Sequence, residues 1–438
     1  MHKRNTKRAS LFIVVPLIAA AAAAVAVPGC SLNESGNIAA MGTGDLTAPP
    51  LERVAAGTPS PCGGTTMTES GAAVIARRPY LQRVTAHDAV LVWTASGATG
   101  ATVVVTTPEG APVAEAPASL DASAPLPGGR AQWTAAIDGL APATTYCYEL
   151  QRGGETLMRA GGFASAPAPG TGARVRTLVI GDSGGGGSDQ RALYGQLETV
   201  PFDLMIHTGD IAYDHGTLGE FEGKFFDVYG ALLRRAPIFP ASGNHEYDTA
   251  DATAFREVFV LPENGQPGGR ERWYSYDWGD VHFVALDTER TGAEQAAWLE
   301  ADLAANRLPW TVVYGHKPPH STGDHGSDAG FVQFFVPILE AHDVDLVLSG
   351  HDHHYERFKP QHGVLYVVSG GGGKGTRDVS GGPITAFAEA VIHCVVVEVQ
   401  GDTLTLHAID AVGREFDSAV IQKAAAVSKS RTPVPAGA

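Results

Sequence analysis

The sequence predicts a layered α/β domain preceded by a small all-β sandwich. Between residues 174 and 422, apolar strand-like runs alternate with helical patterns, and between residues 73 and 165 short β-branched runs follow one another with turn residues between them. Alternating strands and helices are typical of layered α/β domains, whereas closely spaced short strands are typical of β-sandwiches. Segment 166–173, rich in Pro, Gly and Ala, is predicted to be the linker between the two domains.

The first 29 residues have the features of a signal peptide. Four basic residues precede an apolar, alanine-rich run over 11–27, and small residues follow it. The run is short for a membrane span, so we expect export to the periplasm or the exterior. Cys30 follows Gly29 and has Val27 three positions before it, which resembles a bacterial lipobox. A membrane-anchored lipoprotein with its lipid on Cys30 and ordinary cleavage nearby stay open as alternatives.

Two further segments are predicted to lack a fixed fold. Residues 30–72 are rich in small and polar residues with no apolar period and are expected to form a flexible tether, and the tail 423–438 is expected to be disordered. Three cysteines remain after Cys30, and an oxidising compartment would permit one disulfide. We expect Cys62 to pair with Cys147. Cys394 lies in a mainly apolar run and is expected to be buried.

The individual elements follow from the apolar periods. Most strands of the α/β domain end in a polar or glycine-containing turn, and ligands bind at such carboxyl ends. In the sandwich, strands are predicted at 89–93, 102–107, 132–137 and 144–150. In the α/β domain, strands are predicted at 175–180, 204–207, 237–240, 281–286, 310–314, 346–348 and 365–368, and helices at 188–200, 292–305 and 330–341.

The overall charge argues against a nucleic-acid partner. The formal net charge is −16, and no stretch of the sequence forms a basic stripe that could displace counterions from phosphates. An anionic substrate must therefore be attracted locally, by metal ions rather than by surface lysines.

Polar segments that follow five of the predicted strands together supply the ligands of two metal ions. Two ions about 4 Å apart need roughly six or seven oxygen and nitrogen ligands and a shared carboxylate. Each segment alone would be explained as a turn or a core histidine, but their joint placement predicts a dinuclear site. The segments are GDSG with Asp182, HTGDIAY with Asp210 and Tyr213, SGNHE with Asn244, YGHKPPH with His316, and SGHDHHYER with His351 and His353.

These segments resemble the motifs of the metallophosphoesterase (calcineurin-like) superfamily, and the GDxxY form around Tyr213 resembles that of the purple acid phosphatases. Segments RRPYLQRVT, VLVW and IDGLAPATTYCYEL resemble the fibronectin-III-like domain that precedes the catalytic domain in that family. The resemblance implies an αββα sandwich for residues 174–422. It also implies one metal held by Asp182, Asp210, Tyr213 and His353, and a second held by Asp210, Asn244, His316 and His351.

The resemblance further implies the cofactors and the reaction. A phenolate favours a trivalent ion, so Fe(III) is expected at the Tyr213 site, with Fe, Zn or Mn at the second. The reaction implied is hydrolysis of phosphate monoesters with an acidic optimum, in which a metal-bound hydroxide attacks phosphorus and a histidine protonates the leaving group. His245 and His325 are the candidates for that histidine, and His320 competes with His325.

Alternatives and neighbouring residues complete the prediction. A phosphodiesterase or nucleotidase on the same scaffold stays open, as does, more remotely, a surface phosphate-binding or adhesion protein with a relict site. Glu246 is expected to orient the site rather than transfer protons. His354 is expected to face outward, and enlargement of the polar face of the pocket by His354 stays open as the alternative. The glycine-rich run SGGGGKGT at 369–376 lacks the spacing of a nucleotide-binding P-loop.

Overall fold

The computed structural model describes residues 48–55, 60–96, 100–125, 130–265 and 267–423. The predicted signal peptide, Cys30, the first part of the predicted tether and the tail beyond residue 423 lie outside these ranges and stay predictions. Within them, no helix combines the length and the apolar character that a membrane crossing requires.

The N-terminal part folds into two antiparallel sheets around a shared core. Its elements are β1 (Thr66–Met67), α1 (Glu69–Val74), β2 (Ile75–Gln82), β3 (Asp88–Ser96), β4 (Ala101–Thr106), β5 (Pro112–Pro117), β6 (Ser119–Pro125), β7 (Arg130–Asp138), β8 (Thr145–Arg152) and β9 (Glu155–Ala164). One sheet has the order β1-β9-β8-β4-β5 and the other β2-β3-β7-β6. In β4 every second residue, including Val103 and Val105, is buried, which is the two-residue period of a strand with one face on a core.

The remaining chain supplies the predicted α/β domain. Its elements are β10 (Val175–Ile180), α2 (Ser188–Leu197), β11 (Leu204–His207), α3 (Leu218–Glu220), α4 (Asp227–Leu233), β12 (Ile238–Pro240), α5 (Thr253–Val258), β13 (Tyr274–Trp278), β14 (Val281–Ala285), α6 (Ala293–Ala305), β15 (Trp310–Tyr314), α7 (Ala329–Phe334), α8 (Val336–Ala341), β16 (Leu346–Ser349), β17 (Tyr355–Phe358), β18 (Leu365–Ser369), β19 (Thr385–Glu389), β20 (His393–Gln400), β21 (Thr403–Asp410) and β22 (Glu415–Gln422). A π-helical segment, Phe221–Phe226, joins α3 to α4.

Two mixed sheets form the middle layers of this domain. Their orders are β12-β11-β10-β20-β21-β22 and β13-β14-β15-β16-β18-β17-β19. Alternating residues of the second sheet enter different cores: Phe283 packs in the core that it shares with the first sheet, whereas Val284 packs with Leu299 and Phe331 of the helices α6 and α7. The predicted layered α/β fold with an N-terminal all-β region is therefore confirmed.

Three details differ from the predictions. The helix predicted at 330–341 is two helices, α7 and α8, because Pro337 has no backbone N–H with which to continue the ladder of α7. The predicted tether ends earlier than residue 72, since Thr66–Met67 pairs with β9 and Thr68 caps α1. Several elements were not predicted, namely strands β1, β2, β5, β6, β9, β13, β17 and β19 to β22 and helices α1, α3, α4 and α5.

The cysteines follow the prediction. Cys62 and Cys147 form a disulfide with a Cα–Cα distance of 5.3 Å, which fastens the segment before β1 to β8. Cys394 is a free, buried thiol in β20.

The N-terminal sheets are joined to the α/β domain by side chains that bond to its backbone. Gln82 Nε2 donates to the Ile238 carbonyl at 3.1 Å, and Gln132 Nε2 donates to the Glu257 carbonyl at 2.7 Å. The hydroxyl groups of Tyr80 and Tyr148 donate to two further carbonyls in the same way. The buried guanidinium of Arg77 adds an ion pair with Glu222 of the π-helical segment and stacks on the Phe226 ring at 4.1 Å.

Candidate metal centre

The predicted ligands lie in turns that directly follow five strands of the two middle sheets. Asp182, Asp210 and Asn244 follow β10, β11 and β12 of one sheet, whereas His316 follows β15 and His351 and His353 follow β16 of the other. The carboxyl ends of these parallel strands meet at one edge of the sandwich, which brings the turns together.

A glycine precedes the ligand in each of the five turns because the turns are in close contact. A Cβ atom on Gly243 would lie 2.2 Å from Asp210 Oδ1, and one on Gly350 would lie 2.4 Å from Asp182 Oδ2. Asp182, Asp210 and His351 themselves adopt left-handed backbone conformations, with φ of 56°, 54° and 71°. Such strained conformations in non-glycine residues cluster at functional sites.

Three predicted ligands form a first group. The Tyr213 hydroxyl lies 3.0 Å from Asp182 Oδ1 and 3.1 Å from His353 Nε2. Burial raises the pKa of Asp182 well above its usual range, and burial together with the charges of Asp182 and Asp210 raises the pKa of Tyr213. The donor atoms of Asp182, Tyr213 and His353 thus lie close together. A cation at this position would stabilise the anionic forms of Asp182 and Tyr213.

Four predicted ligands form a second group around His316. Its Nε2 lies 3.1 Å from Asn244 Oδ1, 3.3 Å from Asp210 Oδ1 and 3.1 Å from His351 Nδ1. Its other ring nitrogen, Nδ1, donates to the Thr208 carbonyl at 2.9 Å. Metal-ligating histidines are commonly fixed through the second ring nitrogen in this way.

The geometry and the electrostatics of the second group both fit a metal ion. Ligands that are neighbours on one ion, at bond lengths of about 2.1 Å, stand about 3 Å apart, which matches the separations around His316 Nε2. Burial lowers the pKa of His316, but the charge and hydrogen bond of Asp210, together with the charge of Asp182, outweigh burial and raise that pKa to about 10. The cluster therefore favours a positive charge at its centre, which a metal cation supplies.

Asp210 lies between the two groups. Its carboxylate contacts His316 of the second group and the Tyr213 hydroxyl of the first. Burial alone would raise its pKa, but the charges of His316 and His245 and the hydrogen bonds from both together outweigh burial and lower it. This is the position that the shared carboxylate of two ions must have.

Glu246 holds the turns that carry Asp210 and Asn244. Its buried carboxylate accepts four backbone N–H groups, from Asp210, Ile211, Ala212 and Gly243, at 2.8 to 3.1 Å. Burial and the charge of Asp210 raise its pKa to about 7, while hydrogen bonds from Gly243 and Ala212 and the charge of His316 oppose that shift. This contact pattern matches the orienting role expected for Glu246.

Asp352 is a supporting residue that was not predicted. Its buried carboxylate accepts the His325 backbone N–H at 3.0 Å and the Ser321 hydroxyl, and so holds the loop that follows β15. The signal in the sequence is its place between the two predicted ligands His351 and His353.

The structure separates the three histidines considered as proton donors. The His245 ring lies 4.4 Å from the Tyr213 ring, and the His325 ring stacks on the His351 ring at 4.2 Å. His320 instead packs against Tyr366 at 4.8 Å and against Phe358, both in the core beneath α6 to α8. The structure therefore brings His245 and His325, but not His320, to the ligand groups.

His354 differs from its prediction. It was expected to face outward, but the structure buries it completely, with Nε2 3.5 Å from Glu356 Oε2. The turn at Gly323 passes directly over its ring, where a Cβ atom would lie 2.4 Å from Cε1. The burial of His354 therefore depends on its contact with the loop around Gly323, which is distant in sequence.

Comparison with known proteins agrees with the site. Residues 175–355 match the model of the calcineurin-like phosphoesterase family. The chain is 31% identical to an uncharacterized protein of Mycobacterium tuberculosis over 196 residues, which are 39% of this chain and 37% of that protein. Two Arabidopsis thaliana proteins are each 28% identical: probable inactive purple acid phosphatase 27, with 55% of this chain and 49% of the relative covered, and purple acid phosphatase 21, with 54% and 57% covered.

The matched segments thus span less than two thirds of the length of each of these relatives. Among solved structures, a purple acid phosphatase from yellow lupin (Lupinus luteus) seeds shares the fold, with a TM-score of 0.66 and 20% identity over 82% of this chain and 77% of that chain. From the family match, these relatives and the shared fold, we conclude that this chain is a purple acid phosphatase-like member of the metallophosphoesterase superfamily.

Proposed function

We propose that the protein is a phosphatase of the acid phosphatase type that hydrolyses phosphate monoesters at a dinuclear metal site. The observation that carries the proposal is the position of the Tyr213 hydroxyl, 3.0 Å from Asp182 and 3.1 Å from His353. A tyrosine hydroxyl within hydrogen-bond distance of an aspartate and a histidine fits the ligand set of an acid phosphatase with a phenolate-bound metal.

Each metal has its own proposed ligands. Asp182, Asp210, Tyr213 and His353 would hold Fe(III), since a phenolate is a hard, anionic donor that favours a trivalent ion. Asp210, Asn244, His316 and His351 would hold the second ion, which is Fe, Zn or Mn. When bound, the two ions would polarise the phosphate group and supply an activated water as the nucleophile.

The chain's own histidines would complete the reaction. His245 donates from Nδ1 to the Asp214 carbonyl, so its Nε2, 3.7 Å from Asp210 Oδ2, is the nitrogen left to serve the substrate. His325 lies against the ligand His351 on another side of the site. These two positions suit binding of the phosphoryl group and protonation of the leaving oxygen.

Metal analysis together with the visible spectrum tests the proposal. We expect iron in the purified protein and a tyrosinate-to-Fe(III) absorption band that is lost in Tyr213→Phe. Tyr366→Phe is the matched control, because the Tyr366 hydroxyl is buried and has no hydrogen-bond partner in the described ranges. A colourless, fully active enzyme with two manganese or two zinc ions would refute the Fe(III) assignment.

Activity measurements separate the other candidate functions. A faster turnover of an aryl phosphate monoester than of the matching diester is expected, and the reverse would favour a phosphodiesterase. Because four Arabidopsis thaliana relatives are named probable inactive purple acid phosphatases, a phosphate-binding protein without turnover is the second candidate. A protein with two bound metals and no turnover of any phosphate ester would establish that candidate instead.

We also propose that the protein is exported, with either a lipid anchor at Cys30 or ordinary cleavage nearby. The disulfide between Cys62 and Cys147 supports an oxidising compartment, because such bonds persist in secreted and periplasmic proteins. The N-terminal antiparallel sheets support a fibronectin-III-like domain at 73–165. Mass spectrometry of the mature N-terminus would distinguish lipidation from ordinary cleavage.

A further inference from the structure

The glycine-rich segment 370–376 packs against the first ligand turn. The Gly372 N–H donates to the Gly181 carbonyl at 2.9 Å, and the Lys374 N–H donates to the Asp182 carbonyl at 3.0 Å. A Cβ atom on Gly372 would lie 2.1 Å from the Gly181 oxygen. The absence of a side chain at Gly372 thus permits close contact between its backbone and that of Gly181. The residues that follow this segment therefore lie at the rim of the metal centre.

Arg377 is the residue that this segment delivers to the ligand groups. Its backbone N–H donates to the His353 carbonyl at 2.9 Å, and its guanidinium donates to His325 Nε2. The half-buried Arg377 side chain makes no ion pair with a carboxylate anywhere in the described ranges, whereas the nearby Lys374 pairs with Asp214. Arg377 is therefore an uncompensated cation beside the proposed catalytic centre.

The position of Arg377 defines which part of a substrate it would meet. His325 contacts both the Arg377 guanidinium and the ligand His351, with its ring stacked on the His351 ring at 4.2 Å. If His325 serves the leaving oxygen, the guanidinium that contacts His325 lies on the leaving-group side of the site. A guanidinium carries only N–H donors in a planar fork, which matches the oxygens of a phosphate or carboxylate.

We propose that Arg377 is a specificity-determining residue that binds a second anionic group on the leaving-group side of the scissile phosphate. The site then favours substrates whose leaving group carries a further anionic group of its own, such as a diphosphate, over those whose leaving group carries none. On binding, the anionic group takes the N–H donors that Arg377 otherwise gives to His325. This inference rests on the proposed phosphatase function.

Kinetics with two substrates test the proposal. Inorganic pyrophosphate has an anionic leaving group, whereas 4-nitrophenyl phosphate has no second phosphate. We expect Arg377→Gln to lower kcat/KM for pyrophosphate about 10-fold more than for 4-nitrophenyl phosphate, the size typical of one charge-assisted hydrogen-bonded contact. Arg307→Gln removes the same charge from an exposed residue just after α6, and both substrates should be unaffected. Equal losses for both substrates in Arg377→Gln would overturn the proposal.

Binding measurements keep the proposal distinct from the phosphatase function. Calorimetry on the metal-loaded protein compares imidodiphosphate, a non-hydrolysable analogue of pyrophosphate, with inorganic phosphate. The wild-type protein should bind imidodiphosphate more tightly, Arg377→Gln should lose about 10-fold of that preference, and Arg377→Lys should restore part of it. This pattern without turnover would support Arg377 while refuting the hydrolytic function. An unchanged preference in Arg377→Gln, with normal folding by circular dichroism, would reject the role of Arg377.

Discussion

Replacing Glu246 with glutamine should destabilise the protein and loosen its metal site. Each carboxylate oxygen accepts two backbone N–H groups: Oε2 from Asp210 and Gly243 at 2.9 and 2.8 Å, and Oε1 from Ile211 and Ala212 at 2.8 and 3.1 Å. In glutamine one of these oxygens becomes an NH₂ group, which cannot accept, so two buried N–H groups lose their partner. At about 1 to 3 kcal/mol for each unsatisfied group, the free energy of unfolding should fall by about 2 to 6 kcal/mol.

The same substitution should weaken metal binding because Asp210, and Asn244 next to Gly243, are proposed ligands. Loss of an outer partner of this kind typically reduces metal affinity about 10- to 100-fold. Urea unfolding of the metal-depleted protein gives the change in stability, and calorimetry with Zn²⁺ gives the change in affinity. Glu300→Gln is the matched control, since the Glu300 side chain is 55% exposed and its loss should cost less than about 1 kcal/mol. Wild-type stability and Zn²⁺ affinity in Glu246→Gln would show that these four contacts do not hold the site.

Three further predictions concern stability away from the metal centre. Removing the disulfide with Cys62→Ser and Cys147→Ser together should lower the unfolding free energy by about 2 to 5 kcal/mol, because the bridge closes a sequence separation of 85 residues; an unchanged urea midpoint would contradict this. Arg77→Met should cost about 2 to 4 kcal/mol in urea unfolding, since it breaks a largely buried ion pair between the two parts of the chain, whereas the exposed Arg307→Gln should cost little. Burial lowers the pKa of His282, but hydrogen bonds to two aspartates raise it to about 9. The resulting stabilisation should be complete below about pH 6.5 and disappear as the pH rises through about 9, so thermal midpoints of wild type and His282→Gln should converge above that pH.

The strands and the ligands could be predicted because both depend on short stretches of sequence. The strands at 175–180, 204–207 and 310–314 were predicted with the bounds that the structure gives. Each ligand follows its strand within a few residues, so a correct strand end also places the ligand. The glycine before each ligand is also visible in a short stretch of sequence. The reason that a glycine is needed there is the close contact with a second turn, which the sequence does not show.

Residues in longer loops could not be placed in this way. His320 and His325 belong to the same loop after β15, and no apolar period in that loop shows which of the two side chains lies at the ligand groups. The outcome depends on Asp352, which binds the His325 backbone from another strand end. The burial of His354 likewise depends on Gly323 in that loop. Both contacts join segments about 30 residues apart in sequence, beyond the reach of periodicity.

The junction between the sandwich and the α/β domain has a consequence for sequence drift. Four side chains of the sandwich, two glutamines and two tyrosines, bond to carbonyl groups of Ile238, Glu257, Val258 and Arg234 rather than to their side chains. Every residue type offers the same carbonyl oxygen. Those four positions can therefore change identity without loss of these bonds, whereas the glutamines and tyrosines cannot. We expect divergence at this junction to accumulate in the α/β domain.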